Sequence, residues 1–88
     1  MKALTLDMLC VGGKGIVDSL FAEGSMRRRM IDLGIVEGTE IECVGKSPAG
    51  DPSAYRIRGA VIAIRAKDAR KVCIKLIDIA KEDYYGTD

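Results

Sequence analysis

The 88-residue chain contains no histidine and no tryptophan, and aromatic residues make up only 5% of it. Without histidine there is no His-dependent catalytic triad, no His-based zinc site and no imidazole general base. With so few aromatic rings, a platform that stacks nucleic-acid bases is not expected either. These absences remove several common kinds of catalytic and binding site.

An excess of one charge is also missing, because 14 lysines and arginines stand against 13 aspartates and glutamates. General nucleic-acid and membrane-surface binders need a clear surplus of Lys and Arg. The longest apolar run, residues 60–64, is far shorter than the roughly 20 residues of a membrane span, and Asp7 interrupts the apolar N-terminal segment too early for a signal peptide. We therefore expect a soluble cytoplasmic protein that neither binds nucleic acid nor inserts directly into a membrane.

The three cysteines, Cys10, Cys43 and Cys73, include no CxxC pair. An odd number of cysteines without a secretion signal is typical of reduced thiols in a reducing compartment. We expect two or three of them to fill apolar positions as small hydrophobic side chains. Neither a bound metal ion nor another cofactor is predicted.

Hydrophobic residues make up 48% of the chain, enough for one small core. Ser25 is predicted to cap a helix over about 26–33, which Gly34 ends, and residues 66–71 are predicted to form a helical turn. Alternating or apolar segments predict five strands: 16–20, 39–44, 55–58, 61–65 and 72–76. The fold class is therefore mainly β, a small closed barrel of about five strands over residues 1–77. Residues 78–88 are predicted to be a polar C-terminal tail.

Two of these strands carry complementary charges. Glu40 and Glu42 alternate with buried-type residues on one strand, and Arg56 and Arg58 do so on another. If the two strands pair, acidic and basic side chains can face each other across the ladder.

The residues offer little for catalysis. Gly45-Lys46-Ser47 ends like a P-loop, but Glu40 stands where the first glycine of that motif is required. No histidine can activate a serine or cysteine nucleophile, and a small filled barrel is expected to lack a cleft of roughly 300 Å³ or more. We predict no enzyme activity and no catalytic residue.

Three consecutive arginines, Arg27–Arg29, are the most unusual local feature. Cations in the first turn of a helix lie at the positive end of its dipole. They form either a solvated face relieved by pairs such as Arg28 with Asp32, or a cationic docking patch for an acidic partner.

Several short elements follow one another in a distinctive order: Leu4, Gly12-Gly13, Gly15-Ile16, the run Arg27–Thr39, the segment Pro48–Pro52, Ile62–Arg65 and Asp68-Ala69. In this order they resemble the ferrous iron transport protein A (FeoA) family over about residues 3–76. Two departures are mild: Glu37 precedes Gly38 where the family usually has proline, and Ile64 replaces the usual leucine.

This resemblance implies an SH3-like barrel that acts by protein–protein contact with FeoB, a membrane Fe(II) transporter with a cytosolic GTPase domain. The residues chosen as partner contacts are Arg27, Arg28 and Asp51, because cation clusters and loops make better partner surfaces than a filled barrel. Two alternatives stay open: a stand-alone SH3-like regulatory domain related to metal-dependent repressors, and a weak transition-metal-binding protein. Self-association through an unpaired sheet edge is a further expectation.

Overall fold

The structure, a computed structural model, describes residues 4–77, and the predicted tail at 78–88 lies outside this range. The described residues form one antiparallel sheet with two short helices. A 3-10 turn (Leu6–Met8) follows the first strand. The helices are α1 (Gly24–Asp32) and α2 (Ala66–Ala69), and the strands are β1 (Leu4–Thr5), β2 (Lys14–Leu20), β3 (Glu40–Lys46), β4 (Ser53–Ile57), β5 (Ala60–Ile64) and β6 (Val72–Leu76).

The strand order is β1-β6-β2-β3-β4-β5, so β1 and β5 are the two edges of the sheet. The mainly β fold with one short helix and a helical turn is confirmed, but the closed barrel is wrong, since the sheet is open and has six strands. β1 has two residues, which pair with Ile74 and Cys73 of β6, and so short a strand cannot form a closing ladder with β5. Within residues 4–77, no helix has the length and apolar character to cross a membrane.

The close approach of β2 and β6 explains why position 15 is occupied by glycine. A Cβ added at Gly15 would lie 2.9 Å from Cδ1 of Ile74 and 3.1 Å from the carbonyl oxygen of Lys75. Any larger residue would push these strands apart. β6 also departs from simple alternation, because Cys73 is buried along with both neighbours while Leu76 is 56% exposed.

The core lies on the inner face of the sheet. Cys43 is fully buried and Cys73 nearly so, whereas Cys10 is exposed, and all three are free thiols. The prediction that two or three cysteines fill apolar positions is therefore confirmed for two. The largest fully buried side chains are Tyr55, Leu6, Ile35, Ile41, Ile57, Val17 and Val72.

Helix α1 begins earlier than predicted. Its N-cap is Glu23, without a side-chain cap, so the assignment of Ser25 as the cap is wrong. Gly24 has a φ of +61°, a left-handed conformation open to glycine, and this lets the chain enter the helix before Ser25. At the other end, Gly34 has a φ of +102° directly after the C-cap Leu33, as predicted.

The pairing of the acidic and basic strands is confirmed. Glu42 lies opposite Arg56 in the β3–β4 ladder, and Nη1 of Arg56 donates to Oε1 of Glu42 at 3.1 Å. Arg58 does not continue the ladder, since it lies in the tight turn between β4 and β5 with a φ of +53°.

Candidate functional site

A groove of about 470 Å³ separates α1 from the segment formed by β5 and α2. Its size contradicts the expectation that no cleft of this kind exists. The groove lies beside the open edge of the sheet at β5, and core residues such as Met30 and Ile35 form part of its floor. Its apolar lining is Met26, Met30, Leu33, Ile35, Ile62, Ala63 and Ile64, and its charged lining is Arg29, Arg65, Lys67 and Asp68.

Helical spacing places four of these residues on one face of α1 and its C-cap. Met26, Arg29, Met30 and Leu33 stand at i, i+3, i+4 and i+7, which is one side of a helix. Met30 is 3% exposed, and Met26 packs against the core with part of its surface accessible. The apolar stripe on α1 was visible in the sequence. The same spacing could have singled out Arg29 from its two arginine neighbours.

The charged lining is predominantly positive. Arg29, Arg65 and Lys67 contribute three cations against the single carboxylate of Asp68. The ion pairs found among residues 4–77 all lie elsewhere: Arg56–Glu42, Arg70–Asp7 and Lys75–Asp18. The pair of Arg28 with Asp32, given above as one alternative for the arginine run, is thus absent from this part of the chain. The groove therefore suits an apolar group that carries negative charge.

The structure gives two of the three predicted contact residues an intramolecular partner. Nη1 of Arg27 donates to the carbonyl oxygen of Leu20 at 3.2 Å, and Oδ1 of Asp51 accepts from the backbone N–H of Ala66 at 2.8 Å. Arg28 is exposed on α1. None of the three lines the groove, and their role as partner contacts stays a prediction.

Metal-binding side chains are not brought together in the described region. Within residues 4–77, no group of three or more Cys, Asp or Glu side chains could hold a metal ion. The groove has instead the character of a binding surface. Its apolar lining forms the floor, and Arg29, Arg65 and Lys67 form a cationic rim.

A family model for the FeoA domain matches residues 4–76, nearly the whole described region. The chain belongs to the FeoA family. The predicted extent of the resemblance, 3–76, agrees with this match. Over 74 residues the chain is 31% identical to an Fe(2+) transport protein A/Fe(2+) transporter FeoB fusion protein of Porphyromonas gingivalis. That match covers 84% of this chain but only 9% of the fusion protein.

Solved structures of FeoA-family proteins share the fold. A FeoA-like protein of Clostridium acetobutylicum is 35% identical with a TM-score of 0.79, over 88% of this chain and 90% of that one. FeoA of Stenotrophomonas maltophilia, described as a prokaryotic SH3 domain protein complexed with zinc, is 29% identical with a TM-score of 0.73. The match covers 82% of this chain and 89% of that one. The SH3-like fold class is confirmed.

Proposed function

We propose that this FeoA-family chain is a small cytosolic accessory subunit of a ferrous iron uptake system, acting by contact with a FeoB-like membrane GTPase transporter. The supporting observation is the Porphyromonas gingivalis protein, in which a related domain and a FeoB transporter form one polypeptide. Fusion keeps two modules at a high effective concentration without any contact between them. Direct binding of one module to the other needs a surface that provides this association.

The groove between α1 and β5 is the surface that we assign to this contact. It combines a cationic rim with accessible apolar side chains, and such a combination favours protein interfaces over small-molecule catalysis. Arg27 and Arg28 extend the positive charge along α1. Asp51 contributes indirectly in this proposal, because it holds the start of α2, the helix that carries Lys67.

Affinity co-purification tests the proposal. The tagged full chain is incubated with detergent-solubilised membranes of its own host, in nucleotide-free, GDP-bound and GTP-bound conditions. We expect retention of a GTPase-containing iron transporter, weakened by Arg28→Glu. Lys46→Glu makes the same change of charge at an exposed residue of β3 outside the groove, and should retain the transporter. Absence of the transporter from every eluate would contradict the proposed function.

A further inference from the structure

The edge strand β5 lacks the features that usually protect an exposed sheet edge. Its five residues, Ala-Val-Ile-Ala-Ile, include no charge and no proline. All five pair with β4 without a register shift, so no bulge twists the strand away. Natural proteins normally guard such an edge with Lys, Pro, a bulge or a very short strand. The other edge, β1, follows that rule because it has only two residues.

Backbone groups of β5 are available along its outer side. The two-residue turn Arg58-Gly59 makes Ile57 and Ala60 the pair that closes the hairpin. Because bonded positions alternate in an antiparallel ladder, Val61 and Ala63 direct their N–H and C=O groups away from β4. Among residues 4–77, no turn, loop or side-chain hydrogen bond involves residues 60–64. Val61 is 57% exposed.

The free edge adjoins the groove already described. Ile62, Ala63 and Ile64 of β5 line it on one side, and Met26 and Met30 of α1 line it on the other. A strand added next to β5 would therefore project alternate side chains toward an apolar floor. Its charged residues would meet Arg29, Arg65 and Lys67.

We propose that β5 and the adjoining groove bind an extended, acidic and apolar segment of a partner protein by strand addition. This rests on the proposed function in one respect, since it places that segment in the cytosolic part of the transporter. Backbone hydrogen bonds to Val61 and Ala63 supply affinity that is independent of sequence, and the groove selects alternating apolar and acidic side chains.

Charge favours an acidic partner over a second copy of this chain. Antiparallel pairing of two β5 strands about Ile62 would bring the cationic rim of one copy, Arg29, Arg65 and Lys67, against the same rim of the other. Like charges brought together at an interface are destabilising. An acidic segment avoids this repulsion.

The first test uses a synthetic hexapeptide of alternating glutamate and valine, with the alternating lysine–valine hexapeptide as its matched control. Both are titrated into the full chain and followed by fluorescence anisotropy and by amide hydrogen exchange. We expect the acidic peptide to bind at least about tenfold more tightly than the basic one, and to slow exchange at Val61 and Ala63. Equal affinity for the two peptides, or protection confined to other strands, would overturn the proposal.

Variants separate the edge from the groove. Val61→Pro removes one outward N–H but no bond to β4, whereas Val61→Thr keeps the donor and the strand propensity. Arg29→Glu reverses a charge at the groove rim, and Lys46→Glu makes the same change of charge at an exposed residue of β3 outside the groove. We expect Val61→Pro and Arg29→Glu each to weaken the acidic peptide about tenfold or more, with both controls within about twofold of wild type. If Val61→Pro does not fold, the exchange protection in the wild-type chain still decides the question.

Other occupants of the edge give different results. If the amides of Val61 and Ala63 are protected from hydrogen exchange without peptide, the proposal is overturned. Protection that rises with protein concentration would indicate that a second copy of the chain occupies the edge. If it does not rise, it would favour the chain's own acidic residues 78–88. Retention of the transporter equally by wild type and by Val61→Pro would refute strand addition while leaving the proposed function intact. Peptide binding without any retention of the transporter would instead support the site and contradict the proposed function.

Discussion

Asp51 accepts a hydrogen bond from the backbone N–H of Ala66, with Oδ1 2.8 Å from the nitrogen. Ala66 is the first residue of α2, and the helix's own N-cap, Arg65, makes no side-chain cap bond. A residue from the loop between β3 and β4 therefore caps a helix that follows β5. This bond ties the loop to the wall of the groove that carries Lys67 and Asp68.

Asp51→Ala should lower the free energy of unfolding by about 0.5–2 kcal/mol, as expected for loss of a helix cap. Asp51→Asn keeps a side-chain oxygen as acceptor and should cost less. Urea denaturation of the two variants measures the difference. Equal losses in both would show that the carboxylate charge, and not the capping bond, is what stabilises the fold.

Gly15→Ala should destabilise the protein by about 1–3 kcal/mol, because the new methyl group would overlap Ile74 and the backbone of Lys75. Gly45→Ala is the matched control, since a Cβ at that strand position meets nothing within 4 Å. Its effect should stay within about 0.5 kcal/mol. Thermal or urea unfolding of both variants compares them, and equal stabilities would contradict the close approach of β2 and β6.

The cysteines should differ in reactivity. In the native protein, a thiol reagent such as DTNB should modify Cys10 rapidly, while Cys43 and Cys73 should react only on unfolding, because reagent access follows exposure. Cys43→Ser should cost about 1–3 kcal/mol, since it buries a hydroxyl at a fully buried position. Cys10→Ser should stay within about 0.5 kcal/mol. Rapid native modification of all three thiols would contradict the core described above.

Tyr55 should make stability fall at alkaline pH. Burial raises the pKa of its phenol above the usual value of 10.0, and a side-chain hydrogen bond with Ser53 offsets part of that rise. The folded state thus holds the phenol proton more tightly than the unfolded state. Its contribution to stability is complete below about pH 10 and is lost as the pH rises through the raised pKa.

Tyr55→Phe isolates this effect, because every other titrating group is common to both proteins. The variant should lose about 0.5–1 kcal/mol at pH 7, where it removes the 3.4 Å bond from the phenol to the Leu6 carbonyl and the interaction of the phenol with Ser53. When the pH is raised from 9 to a value above about 10, the free energy of unfolding of the variant should fall less than that of wild type. Parallel urea titrations at the two pH values measure the difference. Equal slopes would contradict a raised pKa.

Local patterns in the sequence predicted most elements of the sheet. Alternation placed Ile41, Cys43, Tyr55 and Ile57 inside, and the opposite charges of Glu42 and Arg56 predicted a cross-strand pair that the structure contains. The FeoA resemblance and the SH3-like fold also followed from residues 3–76. These inferences succeeded because periodicity, turn residues and motif order are properties of short stretches of chain.

Other features depended on contacts between distant segments. No local signal predicted β1, because two residues become a strand only through pairing with Ile74 and Cys73. The capping of α2 likewise comes from Asp51, which lies fifteen residues before Ala66 in the chain.

The amino-acid sequence by itself determined the family, the mainly β composition, the apolar stripe on α1 and the absence of histidine chemistry. Only the tertiary structure decided that the sheet stays open, that β5 is a free edge, and that a groove lies between this edge and α1. The physical reason is that side-chain periodicity records which face of a strand is buried. Which strand has no neighbour depends on non-local pairing, and a single strand's sequence does not contain that information.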